Sequence, residues 1–116
     1  MTEKRRGKRV GSLIREELSR FLIEDVQGQV PGLITVTRVE MTDDLLTAHI
    51  YLSVFGGGDR EALLALLEKR KGYIRRILAS RINLKYNPEL FFSLDQAPEE
   101  EEKLDRLFEL AKKHES

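Results

Sequence analysis

The stretch LTAHIYLSV, residues 46–54, alternates apolar and polar side chains without a break. A period of two puts Leu46, Ala48, Ile50, Leu52 and Val54 on the core side of a β-strand and Thr47, His49, Tyr51 and Ser53 on the outer side. An apolar side of that kind has to be covered by a second layer. A pairing strand stands directly upstream: LITVTRVEMT, residues 33–42, is rich in β-branched residues, and Asp43–Leu45 supplies a tight turn between the two. The pair reads as an antiparallel hairpin with one wetter face. The upstream strand changes phase, with Ile34 and Val36 on one side and Val39 and Met41 on the other. A β-bulge near Thr37–Arg38 reconciles them.

The covering layer is helical. Val10, Leu13, Ile14, Leu18, Phe21 and Leu22 recur at steps of three and four, the pattern of a helix with one buried stripe. The residues ahead of it, MTEKRRGK, are too polar to pack and read as a flexible basic arm (1–8) preceding a single domain (9–114). VQGQVPG breaks the helical pattern. After the hairpin, Asp59 is a good N-cap for REALLALLEKRK, Gly72 interrupts that helix, and YIRRILASRINLK resumes with Ile74, Ile77, Leu78 and Ile82 at helical spacing. NPELFFSLD is short and aromatic and reads as a third strand. PEEEEKLDRLFELAKKHE reads as a closing helix, with acids in its first turn and lysines in its last, as the helix dipole favours. The order α-β-β-α-kink-α-β-α makes an α+β fold: a three-stranded sheet with helices packed on one face.

A chain of 116 residues fits one domain, which buries roughly two-thirds of its unfolded surface on folding. There is no cysteine, which excludes disulfide frameworks, thiolate zinc sites and cysteine nucleophiles. The basic start is not followed by an apolar stretch, so it does not read as a secretory signal, and no window approaches the ~18 apolar residues of a membrane span. A cytoplasmic setting is the default expectation.

Formal net charge is zero, but the charge is unevenly placed. Residues 69–85 hold seven cations (Lys69, Arg70, Lys71, Arg75, Arg76, Arg81, Lys85) and no acid, and residues 1–20 hold seven cations against three acids. A polyanion responds to local potential, not to the sum over the chain. These two clusters point to nucleic acid as the partner.

The element order, together with Arg9-Val10 opening the first helix, TVTRVEMTDDLLTAHIYLSV as the hairpin and GYIRRILASRINLKYNPELFFSLD as the helix-to-strand segment, resembles the bacterial ribosome-binding factor A family over about residues 8–95. The resemblance implies a type II KH-like fold. It also implies a non-enzymatic assembly factor that binds the immature small (30S) ribosomal subunit and its 16S ribosomal RNA and assists late maturation and processing of the precursor RNA. A monomer without cofactor, metal, membrane or small-molecule substrate is expected. The chain departs from the family pattern at two spots. The family's Ala-x-Gly kink is Arg70-Lys71-Gly72 here, and Asp25-Val26-Gln27 stands where the family has Asp-Pro-Arg. The Gly-x-x-Gly loop with which KH domains proper hold nucleotides is absent.

The expected RNA-binding set is Lys4, Arg5, Arg6, Lys8 and Arg9 in the arm, with Arg70, Lys71, Gly72, Arg75, Arg76, Arg81 and Lys85 in the domain. Gly72 is either a C-cap or a kink that turns a helix N-terminus towards a phosphate. Arg75 and Arg76 fall opposite the Ile74–Ile77–Leu78 stripe and should point to solvent. Arg81 lies nearer the apolar side and should find a carboxylate partner. Outward His49 and Tyr51 either stack on unpaired bases or belong to a plain exposed sheet face. The run Glu99–Glu102 cannot converge on one ion, because consecutive helical residues point in different directions, and it reads as helix N-terminal charge. No catalytic triad, P-loop or metal motif occurs, which disfavours a small nuclease. The rival reading is a protein–protein adaptor that does not bind RNA.

Overall fold

The computed structural model describes residues 2–56 and 59–95. Helix α1 (Thr2–Phe21) runs into a π-helical turn at Leu22–Val26. Strands β1 (Leu33–Met41) and β2 (Thr47–Phe55), helices α2 (Arg60–Lys69) and α3 (Lys71–Arg81), and strand β3 (Glu89–Leu94) follow. The sheet order is β1-β2-β3, with β1–β2 antiparallel and β2–β3 parallel. This is the α+β, KH-like order expected from the sequence; the closing helix expected over residues 98–115 lies outside the described residues.

Strands β1 and β2 pair from Leu33↔Phe55 to Met41↔Ala48, with a shift between Val36 and Arg38. Thr37 is the extra residue, so the bulge stands where the phase of the sequence required it, and Ile34, Val36, Val39 and Met41 share one face. The Thr37 hydroxyl lies 2.9 Å from Asp95 Oδ2, which ties the bulge to the end of β3. In the parallel pair, Ala48, Ile50 and Leu52 stand beside Leu90, Phe92 and Leu94.

The helices cover that face. Ile14, Leu18 and Leu22 from α1 and its extension, Leu63 and Leu67 from α2, and Ile74 and Leu78 from α3 are buried over Val36, Ile50, Leu52 and Leu90. Each such side chain stabilises the fold by ~1.5–3 kcal/mol relative to an exposed one.

The N-terminal basic segment is not a coil arm. Helix α1 begins at Thr2, eight residues ahead of the first apolar residue of its stripe. Lysine and arginine are good helix formers, and two glycines one turn apart let this half of the helix lie close to β1. A Cβ on Gly7 would stand 3.7 Å from Met41 Cβ, and one on Gly11 would stand 3.0 Å from the Val39 carbonyl oxygen.

Three further local readings change. The break between α2 and α3 falls at Arg70 (φ −95°, ψ 7°), and Gly72 sits inside the first turn of α3. Leu46 is 46% exposed: it precedes β2 and belongs to the turn, where its N–H donates to Asp44 Oδ1 at 3.0 Å. Ser53 points away from the helices, as the alternation requires, yet is buried, and its hydroxyl has no hydrogen-bond partner among the described residues. The expected N-cap is present: Asp59 Oδ1 accepts from the Ala62 N–H at 3.0 Å.

Candidate nucleic-acid interface

The packing of α1 against the end of α3 joins the two basic clusters. Arg6 and Arg9 on α1, Arg81 in the last turn of α3 and Lys85 in the following loop line one groove of about 490 Å³. Its floor is apolar, with Val10, Leu13, Ile82 and Leu84. Arg81 has the carboxylate partner expected of it: Nη1 lies 3.5 Å from Glu17 Oε2, which itself sits beside Arg20. Arg6, Arg9 and Lys85 form no ion pair among the described residues. Arg5 and Lys8 are carried on the same helix, and Lys4 belongs to its first turns. Cations unneutralised along a channel with apolar footing suit a backbone of phosphates with bases attached.

The loop carrying Lys85 is held by Arg75. The sequence pattern places Arg75 towards solvent, but its guanidinium instead donates to the carbonyls of Pro88 (Nε, 3.0 Å) and Asn87 (Nη2, 3.0 Å). The Asn87 amide donates back to the Arg75 carbonyl at 3.2 Å. Pro88 has no N–H to offer and fixes the chain before β3, so a forked side chain binding two successive carbonyls sets the path of the loop. Arg75 therefore fixes the loop that carries Lys85.

The remaining cations form a second group at the α2–α3 corner. Arg70 sets its guanidinium against both rings of the Phe21–Tyr73 pair, 5.1 Å from one centroid and 5.2 Å from the other, the rings themselves being 6.1 Å apart. The cation that replaces the small residue of the family pattern is therefore accommodated by stacking at the break itself. Lys71 pairs with Glu68 at 2.9 Å and lies 5.5 Å from the ring of Phe91. The Arg76 guanidinium lies 6.0 Å from the Tyr73 ring. Gly72 is exposed, and a Cβ there would meet nothing within 4 Å.

On the outer face of the sheet, His49 stacks on Phe91 (5.7 Å between centroids, 23° between planes), and Arg38 lies 4.0 Å above the ring of Tyr51. Protein groups therefore already occupy one face of each ring that the sequence offered for base stacking.

Sequence reasoning missed Tyr86 and Asp43. Tyr86 is 58% exposed beside Lys85, and Asp43 stands on the hairpin turn facing the same region. The dipeptide Lys85-Tyr86, a cation followed by an aromatic next to an Asn-Pro turn, was the available signal. Among the described residues, no group of three or more potential metal-ligating side chains is placed to hold an ion, and no helix is long and apolar enough to cross a membrane.

The sequence profile of the family described as Ribosome-binding factor A matches residues 6–108. A protein of that name from Halothermothrix orenii is 32% identical over 114 residues, covering 97% of this chain and 93% of the relative. One from Brevibacillus brevis is 40% identical over 95 residues, covering 81% and 78%. The crystal structure of ribosome-binding factor A from Thermus thermophilus superimposes with a TM-score of 0.66 at 22% identity, over 78% of this chain and 98% of that one. A homology model of the Thermus thermophilus protein, as fitted into the cryo-EM map of a complex with 30S, gives the same TM-score at 20% identity, over 78% and 96%. Both show the shared fold.

Proposed function

The chain belongs to the ribosome-binding factor A family, and from that premise we propose that it binds the immature small ribosomal subunit through its ribosomal RNA. Its role there is that of a non-enzymatic assembly factor in late maturation and processing of the precursor RNA, carried out in the cytoplasm by a monomer. The observation that carries the reading is the groove in which Arg6, Arg9, Arg81 and Lys85, from opposite parts of the sequence, come together. Lys4, Arg5 and Lys8 extend the positive field along α1. Arg70, Lys71, Gly72 and Arg76 offer a second contact at the α2–α3 corner, and Arg75 holds the loop between the two. The family's name, and the 30S particle in which the Thermus thermophilus homologue has been placed, support the partner. A binding protein favours one arrangement of the RNA only by binding it better than the alternatives, so the preference for precursor over mature particles is the functional quantity.

Sedimentation with purified precursor and mature small subunits tests this. Four phosphate contacts give a slope of about −3 in log K against log salt, hence about 60-fold weaker binding at ~200 mM than at ~50 mM salt. Wild type should pellet with precursor particles at the lower salt and be lost at the higher. The Arg6→Glu/Arg9→Glu variant, altered at two helical positions of the groove, should stay in the supernatant while retaining its circular dichroism spectrum. Salt-insensitive pelleting, or a folded double variant that pellets like wild type, contradicts the reading and favours the adaptor.

A further inference from the structure

Next to the cationic groove, the β1–β2 turn and the α3–β3 loop enclose a second recess of about 260 Å³. Arg6, Leu45, Leu84 and Lys85 line both spaces, so the two adjoin. The recess alone adds Asp43, Asp44 and Tyr86. Its volume falls just below the ~300–1,000 Å³ of drug-sized sites, the scale of one small ligand unit such as a single nucleoside.

Its walls have the chemistry of base recognition. Leu45 and Leu84 provide an apolar floor. The Tyr86 ring is 58% exposed, with the Lys85 ammonium 5.5 Å from its centroid. The two aspartates of the turn differ in role. Asp44 is committed to the hairpin, accepting from the Thr42 hydroxyl at 2.6 Å and the Leu46 N–H at 3.0 Å. Asp43 is exposed and has no hydrogen-bond or ion-pair partner among the described residues, although Arg6 and Lys85 line the same recess. On a surface that binds phosphates, a free carboxylate opposes binding unless the ligand brings N–H donors to it. Base edges do so, and the Watson–Crick edge of guanine brings two adjacent ones.

We propose that this recess takes one unpaired nucleotide of the bound RNA, its base stacked on Tyr86 and its N–H edge on Asp43, guanine preferred, with Arg6 and Lys85 on the flanking phosphates. The inference rests on the RNA-binding reading above and adds the ligand class: a splayed single strand, not a duplex.

Fluorescence anisotropy tests it on the full chain. The probes are labelled uridine heptamers carrying a central G, A, C or U, and a hairpin duplex of matching length. Wild type should bind the central-G strand best and the duplex least. Tyr86→Ala should weaken every single-stranded probe roughly 10-fold, and Tyr86→Phe should retain binding. Asp43→Asn decides the matter by sign. It should weaken the central-G probe several-fold while slightly tightening the all-uridine probe, because a negative charge has been removed. Uniform tightening of all probes by Asp43→Asn overturns base reading by this carboxylate. A folded Tyr86→Ala variant that binds like wild type, or equal affinity for duplex and single strand, overturns the recess as a nucleotide site. If salt-dependent pelleting with small subunits persists in those cases, the RNA-binding reading survives and only the nucleotide site falls. If wild type binds neither the strands nor the particles, both fail.

Discussion

Replacing Gly72 by alanine separates two roles that the sequence cannot distinguish. A glycine that kinks a helix has to keep its conformational freedom; a glycine inside a helical turn is only a cost. The structure places the break at Arg70 and Gly72 within α3. Its φ is not among the positive values, which among the described residues occur at Leu45, Gly32 and Gly56. An added Cβ would meet nothing within 4 Å, so the substitution brings no overlap and removes unfolded-state entropy. Alanine is preferred over glycine by up to ~1 kcal/mol in a helix interior, and a first-turn position gives roughly 0.5–1 kcal/mol. For a chain of this size that raises Tm by about 2–4 °C. Thermal unfolding followed by circular dichroism, with a urea titration confirming an unchanged m-value, measures it. A fall in Tm would refute the placement of the break and restore Gly72 as the kink. Particle binding measured on the same variant addresses phosphate contact. Unchanged binding with higher Tm leaves Gly72 outside the interface, whereas a tenfold loss with higher Tm shows that a phosphate approaches its backbone closely.

The two glycines of α1 should respond in opposite directions to the same change. Gly7→Ala makes only ordinary contact with Met41 and should gain about 0.5–1 kcal/mol. Gly11→Ala presses on the Val39 carbonyl, a strand backbone atom with little room to yield, and should lose about 1–2 kcal/mol; urea midpoints ranked Gly7→Ala, wild type, Gly11→Ala confirm the close approach. Arg75→Ala removes bonds to two backbone carbonyls and should cost about 1–3 kcal/mol. Arg75→Lys should recover little of this, because an ammonium does not reproduce the fork; amide hydrogen exchange in residues 83–87 should rise in both. The Thr42 hydroxyl, and after it the Leu46 N–H, hold the Asp44 carboxyl below its ordinary value. Its folded pKa is depressed, so its contribution is present above the unfolded value near ~3.9 and fades as pH falls through the lower folded value. Asp44→Ala should therefore be less stable than wild type at pH 7, with the gap closing below about pH 4 in urea unfolding followed across pH.

The parts of the fold that could be read from the sequence are those fixed by a periodic apolar pattern. The alternation through Ala48, Ile50, Leu52 and Val54 set the faces of β2, and the phase slip in β1 located the bulge to within a residue, because one extra residue keeps both halves of a strand on one core. What escaped was governed by contacts between segments distant in sequence. The polar start of α1 carries no stripe of its own, and only strand β1, approached at the Met41 side chain over Gly7 and at the Val39 carbonyl over Gly11, reveals why it lies there as helix. Arg75 looks like a solvent cation on a helical wheel because a wheel does not contain the loop at Asn87–Pro88 that it grips. The same limit applies to the candidate site. Charge counting found the cations of both clusters, since charge is a property of composition. The meeting of Arg9 with Lys85 depends on where α1 packs against the end of α3, and that of Asp43 with Tyr86 on where the β1–β2 turn sits relative to the α3–β3 loop. A basic patch by itself supplies affinity without selection; choosing among nucleotides requires a ring and an acceptor at fixed separation from the cations. In the proposed site that separation would rest on Arg75, which grips the loop at Asn87–Pro88, and on Asp44, which fixes the turn. Arg75 stands outside the recess, and Asp44 on its lining is engaged by the Thr42 hydroxyl and the Leu46 N–H, so loosening either should erode discrimination between probes before it erodes overall affinity.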